Sequence, residues 1–316
     1  MTAQSLASFG NVILRVPGVA IVLVILSIVF SIMSPTFATV PNFQNILTQS
    51  ALLLLLALPM TLIIMTEGLD LSIGAVLTLA SIILAATVVA TGSPTLAFIA
   101  ALSIGLSFGI ANGVLITLFQ LPPFIATLGT LGIAQGLCLV FTEGQSIVGI
   151  PREIGQFYSG FFAGIPIPII MAGVAYAAFH VILYRTRVGT YVFALGGNRE
   201  ALKLAGVSDS LMLVVIYALG GLMAGIGALL LTARMSAAHP TAGIGYEFDA
   251  IAAVAVGGTS FERGNGWLLG TLLGVLVIGV LRNGLNLLGV PSAMQVVGIG
   301  LLVIVALLID NLRSRT

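Results

Sequence analysis

The chain consists of long apolar runs, each of about twenty residues and almost free of charge. A helix of about 20 apolar residues spans the hydrocarbon core of a bilayer and satisfies its own backbone hydrogen bonds there. The sequence therefore predicts an all-α, polytopic transmembrane helical bundle. Ten helical segments are predicted, at residues 17–33, 46–65, 71–90, 95–119, 124–141, 163–184, 211–232, 247–258, 267–288 and 292–309.

Composition excludes an ordinary soluble protein. Hydrophobic residues make up 59% of the chain and charged residues 7%, whereas charged residues make up about 25% of a typical soluble domain. Lipid is the solvent in which so much apolar surface is stable. Because the chain contains no low-complexity linker, residues 1–316 are interpreted as a single membrane domain.

The eighth segment, residues 247–258, is too short to span a bilayer comfortably by itself. Either its neighbours extend it or it forms a half-helix. If all ten segments cross and the N-terminus is cytoplasmic, eight basic residues are cytoplasmic and three lie on or near the other side. Because cytoplasmic loops carry an excess of Lys and Arg, this bias favours ten crossings with both termini in the cytoplasm. Long outward loops are then predicted at residues 34–45, 143–162 and 233–246.

A faint internal repeat relates the two halves of the chain. Asp70 opens one predicted helix and Asp249 opens another, and each is followed by a glycine-bearing helix and a proline-led helix. At an offset of about 169 residues, three positions of the first half align with three of the second: Gly105, Pro122 and Gly129 with Gly274, Pro291 and Gly298. A duplication is one interpretation and chance among glycine-rich helices is the other. Transporters often contain such repeats, with the substrate route at the repeat interface.

Residues that could carry catalysis are scarce. The single lysine, Lys203, follows a leucine and not the glycine of a phosphate-binding loop, so the chain itself is no P-loop ATPase. With one cysteine, Cys138, and two distant histidines, no metal-ligand cluster is recognisable. No nucleophile–base pair and no basic patch for nucleic acid are present. The sequence predicts a protein that is not an enzyme, with no catalytic or metal site and no bound cofactor.

Polar residues at the helix starts and within the spans are the candidate route residues. Asp70 with Ser72, and Asp249, stand at the first turns of two helices, where acids favour the positive helix end. Asn112, Gln135 and Asn283 lie within spans. Helix capping and interhelical hydrogen bonds are one interpretation of these six residues. Direct contact with a solute in a polar route is the alternative.

One inward loop concentrates the charge of the chain. Residues 184–210 hold 6 of its 21 charged residues. Asn198 is placed to cap a short helix that Gly206 ends, with Glu200 and Lys203 three residues apart on one face. This helix either docks on another protein or belongs to a solvated loop that only sets topology.

Several motifs occur together in a recognisable order. They are "GLDLSIGA" (68–75), "TLGTLGI" (127–133), "ALGGNREALKLAGV" (194–207), "YEFDAIAAVAVGGTS" (246–260) and "GTLLGVLVIGVLRNGLNLLGV" (270–290). Together they resemble the ribose/xylose/arabinose-type permease family of bacterial ABC importers. The resemblance extends from about residue 46 to residue 310. Two departures are Glu67, where the family usually has glycine, and the pair Glu262 and Arg263, where small residues are common.

The resemblance implies a location, partners and a coupling segment. Such permeases pair as homodimers or heterodimers in the bacterial inner membrane, in contact with lipid. They receive a sugar from a periplasmic binding protein and are driven by cytoplasmic ATPase subunits, which hold the ATP and Mg²⁺. The ATPase-coupling loop maps onto residues 185–210. Its matching residues are Gly196, Gly197, Asn198, Arg199, Glu200, Lys203 and Gly206.

The function expected from the resemblance is that of a permease subunit in a binding-protein-dependent ABC importer. It would move a monosaccharide into the cytoplasm by alternating access. The same family offers an alternative, a permease for a non-sugar solute such as a nucleoside or a furanosyl signalling molecule. An ion-coupled secondary transporter is a further alternative. It would require a carboxylate or histidine network in mid-membrane, and the acids of this chain cluster near helix ends.

Overall fold

The computed structural model describes residues 18–260 and 264–314 of the chain. Within them lie thirteen α-helices and one short β-hairpin. The first helices are α1 (Gly18–Met33), α2 (Val40–Met65), α3 (Ile73–Thr91), α4 (Pro94–Thr117), α5 (Pro123–Thr142) and α6 (Arg152–Ser159). The hairpin β1 (Phe161–Phe162) and β2 (Ile165–Pro166) follows. The later helices are α7 (Ile167–Arg185), α8 (Arg187–Gly197), α9 (Arg199–Leu204), α10 (Asp209–Met235), α11 (Tyr246–Val256), α12 (Leu268–Leu287) and α13 (Ser292–Ser314).

The predicted all-α membrane bundle is confirmed. Each of the ten predicted segments overlaps one helix, and seven helices are long and apolar enough to cross a membrane: α2, α3, α4, α5, α7, α10 and α12. The predicted orientation rests partly on Arg15, Arg263 and Arg315, which lie outside the described residues, as does Glu262. The count of ten crossings and the cytoplasmic termini stay predictions.

Helix α2 forms the centre of the bundle. Side chains from Leu55 to Met65 are almost completely buried on every side, as expected of a helix that is apolar all round. Helices α7, α10, α11 and α12 pack around α2. The outer helices differ, because on α1 and α7 large aliphatic side chains such as Ile28 and Val174 remain exposed. Aliphatic exposure of this kind suits contact with lipid.

Glycines allow the closest helix contacts. Gly105 and Gly109 of α4 face Gly221 and Tyr217 of α10, and a Cβ at Gly105 would collide with the Gly221 carbonyl. On the opposite side, Gly274 of α12 meets the backbone of Ala253 in α11. The small-residue spacing of the sequence thus marks two backbone-to-backbone crossings.

The predicted repeat relates two groups of three helices, and the two groups have the same pattern of contacts. In the first, α3 contacts both α4 and α5; in the second, α11 contacts both α12 and α13. The first turns of α3 and α11 meet, since Gly74 of α3 packs against Gly243 and the Glu247 carboxylate. This arrangement supports an internal repeat whose two halves join at these helix starts.

Candidate functional site

The charged inward loop contains two helices, one more than the sequence predicted. Helix α8 precedes α9 and packs one face on the core, with Val192 and Leu195 buried. Gly189 lies against the Leu183 carbonyl, where a side chain would not fit. The missed signal is the apolar spacing of Val188, Val192 and Leu195, which follows helical periodicity.

Helix α9 begins and ends where the sequence predicted. The Oδ1 atom of Asn198 accepts a hydrogen bond from the backbone N–H of Ala201 at 2.9 Å, which caps the helix. Gly206 adopts φ +78° and its N–H donates to the Lys203 carbonyl at 3.0 Å. A left-handed residue of this kind is the usual helix stop, and glycine occupies it without strain.

Asp209 at the start of α10 holds α9 in place. Its Oδ2 atom lies 2.8 Å from Arg199 Nε and 3.3 Å from Lys203 Nζ. The Asp209 side chain is 11% exposed, whereas those of Arg199 and Lys203 are 53% and 58% exposed. Because both cations are well solvated, these pairs orient α9 more than they stabilise the fold.

The loop presents two different faces. On α9, Leu202 is buried and Leu204 is 91% exposed, so one apolar side chain of this helix points away from the protein. Gly196 is pressed against the Met65 carbonyl and Gly264, whereas an added Cβ on Gly197 would meet open space. The inner half of the loop is thus fixed to the bundle, and Gly197, Glu200 and Leu204 lie on its accessible side.

A polar cavity of about 710 Å³ lies beside this loop, at the C-terminal ends of α2 and α4. Its lining includes Arg199, Lys203 and Asp209 from the loop region, together with Glu67 and Tyr217. Glu67 has φ +60°, a left-handed conformation that glycine adopts most easily. This backbone geometry accounts for the glycine that the family resemblance leads one to expect at this position.

The start of α3 is held by a hydrogen-bond chain across three helices. Asp70 Oδ1 accepts from the backbone N–H of Ser72 at 2.9 Å and from its hydroxyl at 2.6 Å. The Asn112 amide in α4 donates to Ser72 Oγ at 2.8 Å, and Thr130 in α5 donates to Asn112 Oδ1 at 2.6 Å. All four side chains are buried. The structure therefore brings together three predicted residues and adds Thr130, which the sequence analysis missed.

The chain before α11, which the sequence analysis predicted as an outward loop at residues 233–246, does not stay at the surface of the bundle. Residues 236–245 fold back between the helices, and the Gly243 N–H donates to the Thr78 hydroxyl of α3 at 2.9 Å. Gly245, with φ +96°, turns the backbone into α11. This path is open only because Gly74 and Gly243 pack without side chains. The periodicity of nearby residues does not predict a contact between two glycines that are far apart in the sequence.

Two acids stand on the first turn of α11. Asp249 pairs with Arg282 of α12, at 2.5 Å between Oδ2 and Nη2. Glu247 is buried; its Oε1 atom accepts from the Gly245 N–H at 3.1 Å, and its Oε2 atom has no hydrogen-bond partner among the described residues. Neither acid was assigned a partner from the sequence.

The two remaining predicted residues lie apart from these networks. Gln135 of α5 donates to the Pro240 carbonyl at 2.9 Å. Asn283 of α12 and Asn42 of α2 exchange two amide hydrogen bonds, each 2.9 Å. The six candidate route residues therefore do not converge on one site. In this conformation Asp70 bonds locally to Ser72, and each of the other five makes a helix-to-helix or helix-to-loop contact.

Comparison with known proteins identifies the family. The model of the family described as "Branched-chain amino acid transport system / permease component" matches residues 42–307. The ribose import permease protein of Bacillus subtilis (strain 168) is 43% identical over 99% of this chain and 98% of its own length. The ribose import permease protein of Escherichia coli (strain K12) is 39% identical, over 92% of each chain. The D-allose transport system permease protein of the same strain is 35% identical, over 94% of this chain and 92% of its own.

No solved structure matches the chain significantly. The family match covers most of the helical bundle, and the relatives are matched over nearly their whole length. The seven long apolar helices agree with a multi-pass protein of the inner membrane. This chain therefore belongs to the monosaccharide ABC importer permease family.

Proposed function

We propose that the chain carries ribose or a closely related monosaccharide into the cytoplasm. The observation that carries this proposal is the identity to ribose import permeases, 43% and 39% over nearly the full length. The D-allose permease is similar at 35% identity, so the exact sugar is a matter for measurement. Permeases of ABC importers work with ATPase subunits and a binding protein. The chain itself binds no cofactor, and the ATPase subunits hold ATP and Mg²⁺.

The accessible side of the loop 185–210 is the proposed docking site for an ATPase subunit. Leu204 supplies an exposed apolar contact, and Arg199, Glu200 and Lys203 surround it with charge. An apolar centre with a polar rim is the usual composition of a protein interface. Gly196 and Asp209 attach the loop to the bundle. A displacement of α9 by the ATPase would therefore be transmitted to the end of α2 and the start of α10.

Transport is tested with the complete system in proteoliposomes: this chain, its ATPase subunits and its binding protein. ATP-dependent accumulation of labelled ribose, absent without the binding protein, is the expected result. Uptake of a nucleoside or furanosyl compound with no uptake of monosaccharides would support the non-sugar alternative. Uptake without ATP, driven by a proton or sodium gradient, would contradict the ABC mechanism.

Coupling is tested by replacing residues on the accessible side of the loop. Gly197→Trp and Glu200→Lys are expected to reduce uptake at least tenfold and to abolish stimulation of ATP hydrolysis by the sugar-loaded binding protein. Gly173→Trp in α7 is the matched control, because an added side chain there also meets open space. Normal uptake with unchanged ATPase stimulation in both loop variants would show that the docking assignment is wrong.

A further inference from the structure

Residues 236–248, which we name the re-entrant segment, enter the bundle to the depth of the membrane core. The Pro240 carbonyl meets Gln135, which lies seven residues before the end of α5, ~10 Å along that helix. The Gly243 N–H meets Thr78, thirteen residues before the end of α3, ~20 Å along it. Both helices are long enough to cross a bilayer. The start of the segment stays beside the loop after α5, where Ala238 and Ile147 exchange two backbone hydrogen bonds. From Pro240 on, the segment is a non-helical stretch followed by the first turn of α11, at membrane depth.

One side of the re-entrant segment is open. His239 and Thr241 are exposed, and Ile244 and Phe248 are 59% and 63% exposed. Both the backbone N–H of Thr241, at 3.3 Å, and its hydroxyl, at 2.9 Å, lie within hydrogen-bonding distance of His239 Nδ1. The His239 ring and the Thr241 hydroxyl form a polar pair, and two exposed apolar side chains follow along the segment.

That open face is chemically unsuited to lipid. Non-helical backbone at membrane depth is stable only where protein buries it or where it lines a water-filled cavity. Ionisable side chains within the membrane follow the same rule. The exposed residues of α1, such as Val24, Ile28 and Ile32, show what a lipid-suited face of this chain looks like, since they are uniformly large and aliphatic.

Helix α5 flanks the same face with glycines. Gln135 joins α5 to the segment, and added Cβ atoms at Gly129, Gly132 and Gly136 would all meet open space. Three exposed glycines leave a shallow channel along a spanning helix and expose its backbone. Because Leu128 and Ile133 of α5 are also exposed, the glycines mark where the backbone of α5 is accessible and do not by themselves exclude lipid.

We propose that the open face of the re-entrant segment lines the solute route. A hydroxylated solute meets His239 and Thr241 as hydrogen-bonding partners and passes Phe248, whose ring offers an apolar surface to the sugar carbons. This inference deepens the proposed function and rests on it for the class of solute. The route itself follows from the depth and exposure of the segment alone.

The experiment measures what surrounds each side chain. Nitroxide labels are attached to Thr241→Cys, Ile244→Cys and Phe248→Cys in the Cys138→Ala background, with the permease assembled with its ATPase subunits in liposomes. Collisions with a water-soluble nickel chelate and with oxygen, which concentrates in lipid, are compared with and without ATP. Ile28→Cys in α1 and Val174→Cys in α7 are the lipid-facing controls.

At the three segment positions the ratio of nickel-chelate to oxygen collisions is expected to be at least fivefold higher than at the controls, in at least one nucleotide state. An oxygen preference equal to that of the controls would place the face in lipid and overturn the proposal. Low accessibility to both reagents in every state would show a permanent protein contact and would overturn it too.

Uptake measurements separate this proposal from the assignment of the sugar. Thr241→Val and Phe248→Ala are expected to raise the KM for the transported solute at least threefold, while Val174→Ala leaves it unchanged. If the wild-type transporter carries a non-sugar solute and the segment is water-accessible, the sugar assignment fails and the route stands. If sugar uptake is normal and both substitutions leave the KM unchanged, the route is wrong and the sugar assignment stands.

Discussion

Two adjacent glycines in the charged loop have opposite surroundings. Gly196 touches the Met65 carbonyl and Gly264, so it fixes the loop to the inner end of α2. Gly197 has open space where a side chain would begin. In the sequence they are an indistinguishable pair, and only their neighbours in space give them different roles.

Gly196→Ala is expected to destabilise the protein, because the added methyl group must displace backbone atoms. Overpacking of this kind costs ~1–3 kcal/mol. Gly197→Ala is the matched control and is expected to be neutral. Thermal unfolding of the purified protein in detergent measures both; equal midpoints for the two variants would contradict the contact at Gly196.

Asn112 is the central residue of the hydrogen-bond chain at the start of α3. Asn112→Ala removes the donor to Ser72 and the acceptor for Thr130. A buried polar group left without its partner costs ~1–3 kcal/mol, so a lower midpoint of thermal unfolding is expected. Ser103→Ala, at an exposed position where the hydroxyl bonds only to its own helix, serves as the control. A midpoint as high as that of the control would show that these hydrogen bonds contribute little stability.

The stability of the short helix α9 depends on the residues at its two ends. Six residues are too few for a stable isolated helix, so the Asn198 cap, the Gly206 stop and the ion pairs to Asp209 must hold it. The sequence indicated the cap and the stop. It did not indicate Asp209, because the pairs run between the loop and the next helix.

Asn198→Ala is expected to loosen α9 without unfolding the bundle. Loss of an N-cap costs ~1 kcal/mol, enough to raise amide hydrogen exchange at residues 199–204 about fivefold. Asn198→Asp retains a capping oxygen and is expected to exchange like the wild type. If both variants exchange at the same rate, the cap does not control the helix.

The whole bundle depends on the crossing of α4 and α10. Gly221 approaches the backbone of Gly105 and Gly109 so closely that no side chain fits between them. The same crossing orders α4, which carries Asn112, against the start of α3, where Ser72 is the N-cap residue. Close packing here therefore supports the hydrogen-bond chain as well as the shape of the bundle.

Gly221→Leu is expected to prevent correct assembly of the bundle. The substituted protein should elute as aggregate in size-exclusion chromatography, whereas Gly173→Leu, at an open position of α7, should elute as a single peak. A monodisperse Gly221→Leu protein with normal thermal stability would show that the crossing tolerates a side chain.

Apolar run lengths, glycine and proline positions and the Asn198–Gly206 pair were sufficient to predict the ten main helices and α9. These signals are local: a span needs about twenty apolar residues, and a cap needs its own side chain. The five motifs, taken together and in order, also resemble a known family closely enough to predict the family. Helices α6 and α8 and the hairpin escaped prediction because their signals are short; α6 lies within residues 143–162, which were predicted as a loop.

The tertiary structure alone decided which polar residues meet and how residues 236–245 fold into the bundle. Asp70, Ser72, Asn112 and Thr130 form one chain, while Asn283 pairs with Asn42, 241 residues away. The fold of residues 236–245 into the bundle depends on Gly74 and Gly243, which lie far apart in sequence and in contact in space. Contacts of this kind arise from the packing of whole helices. No local pattern of residues encodes them, and for that reason the sequence predicted the helices and the structure was needed to show which distant residues meet.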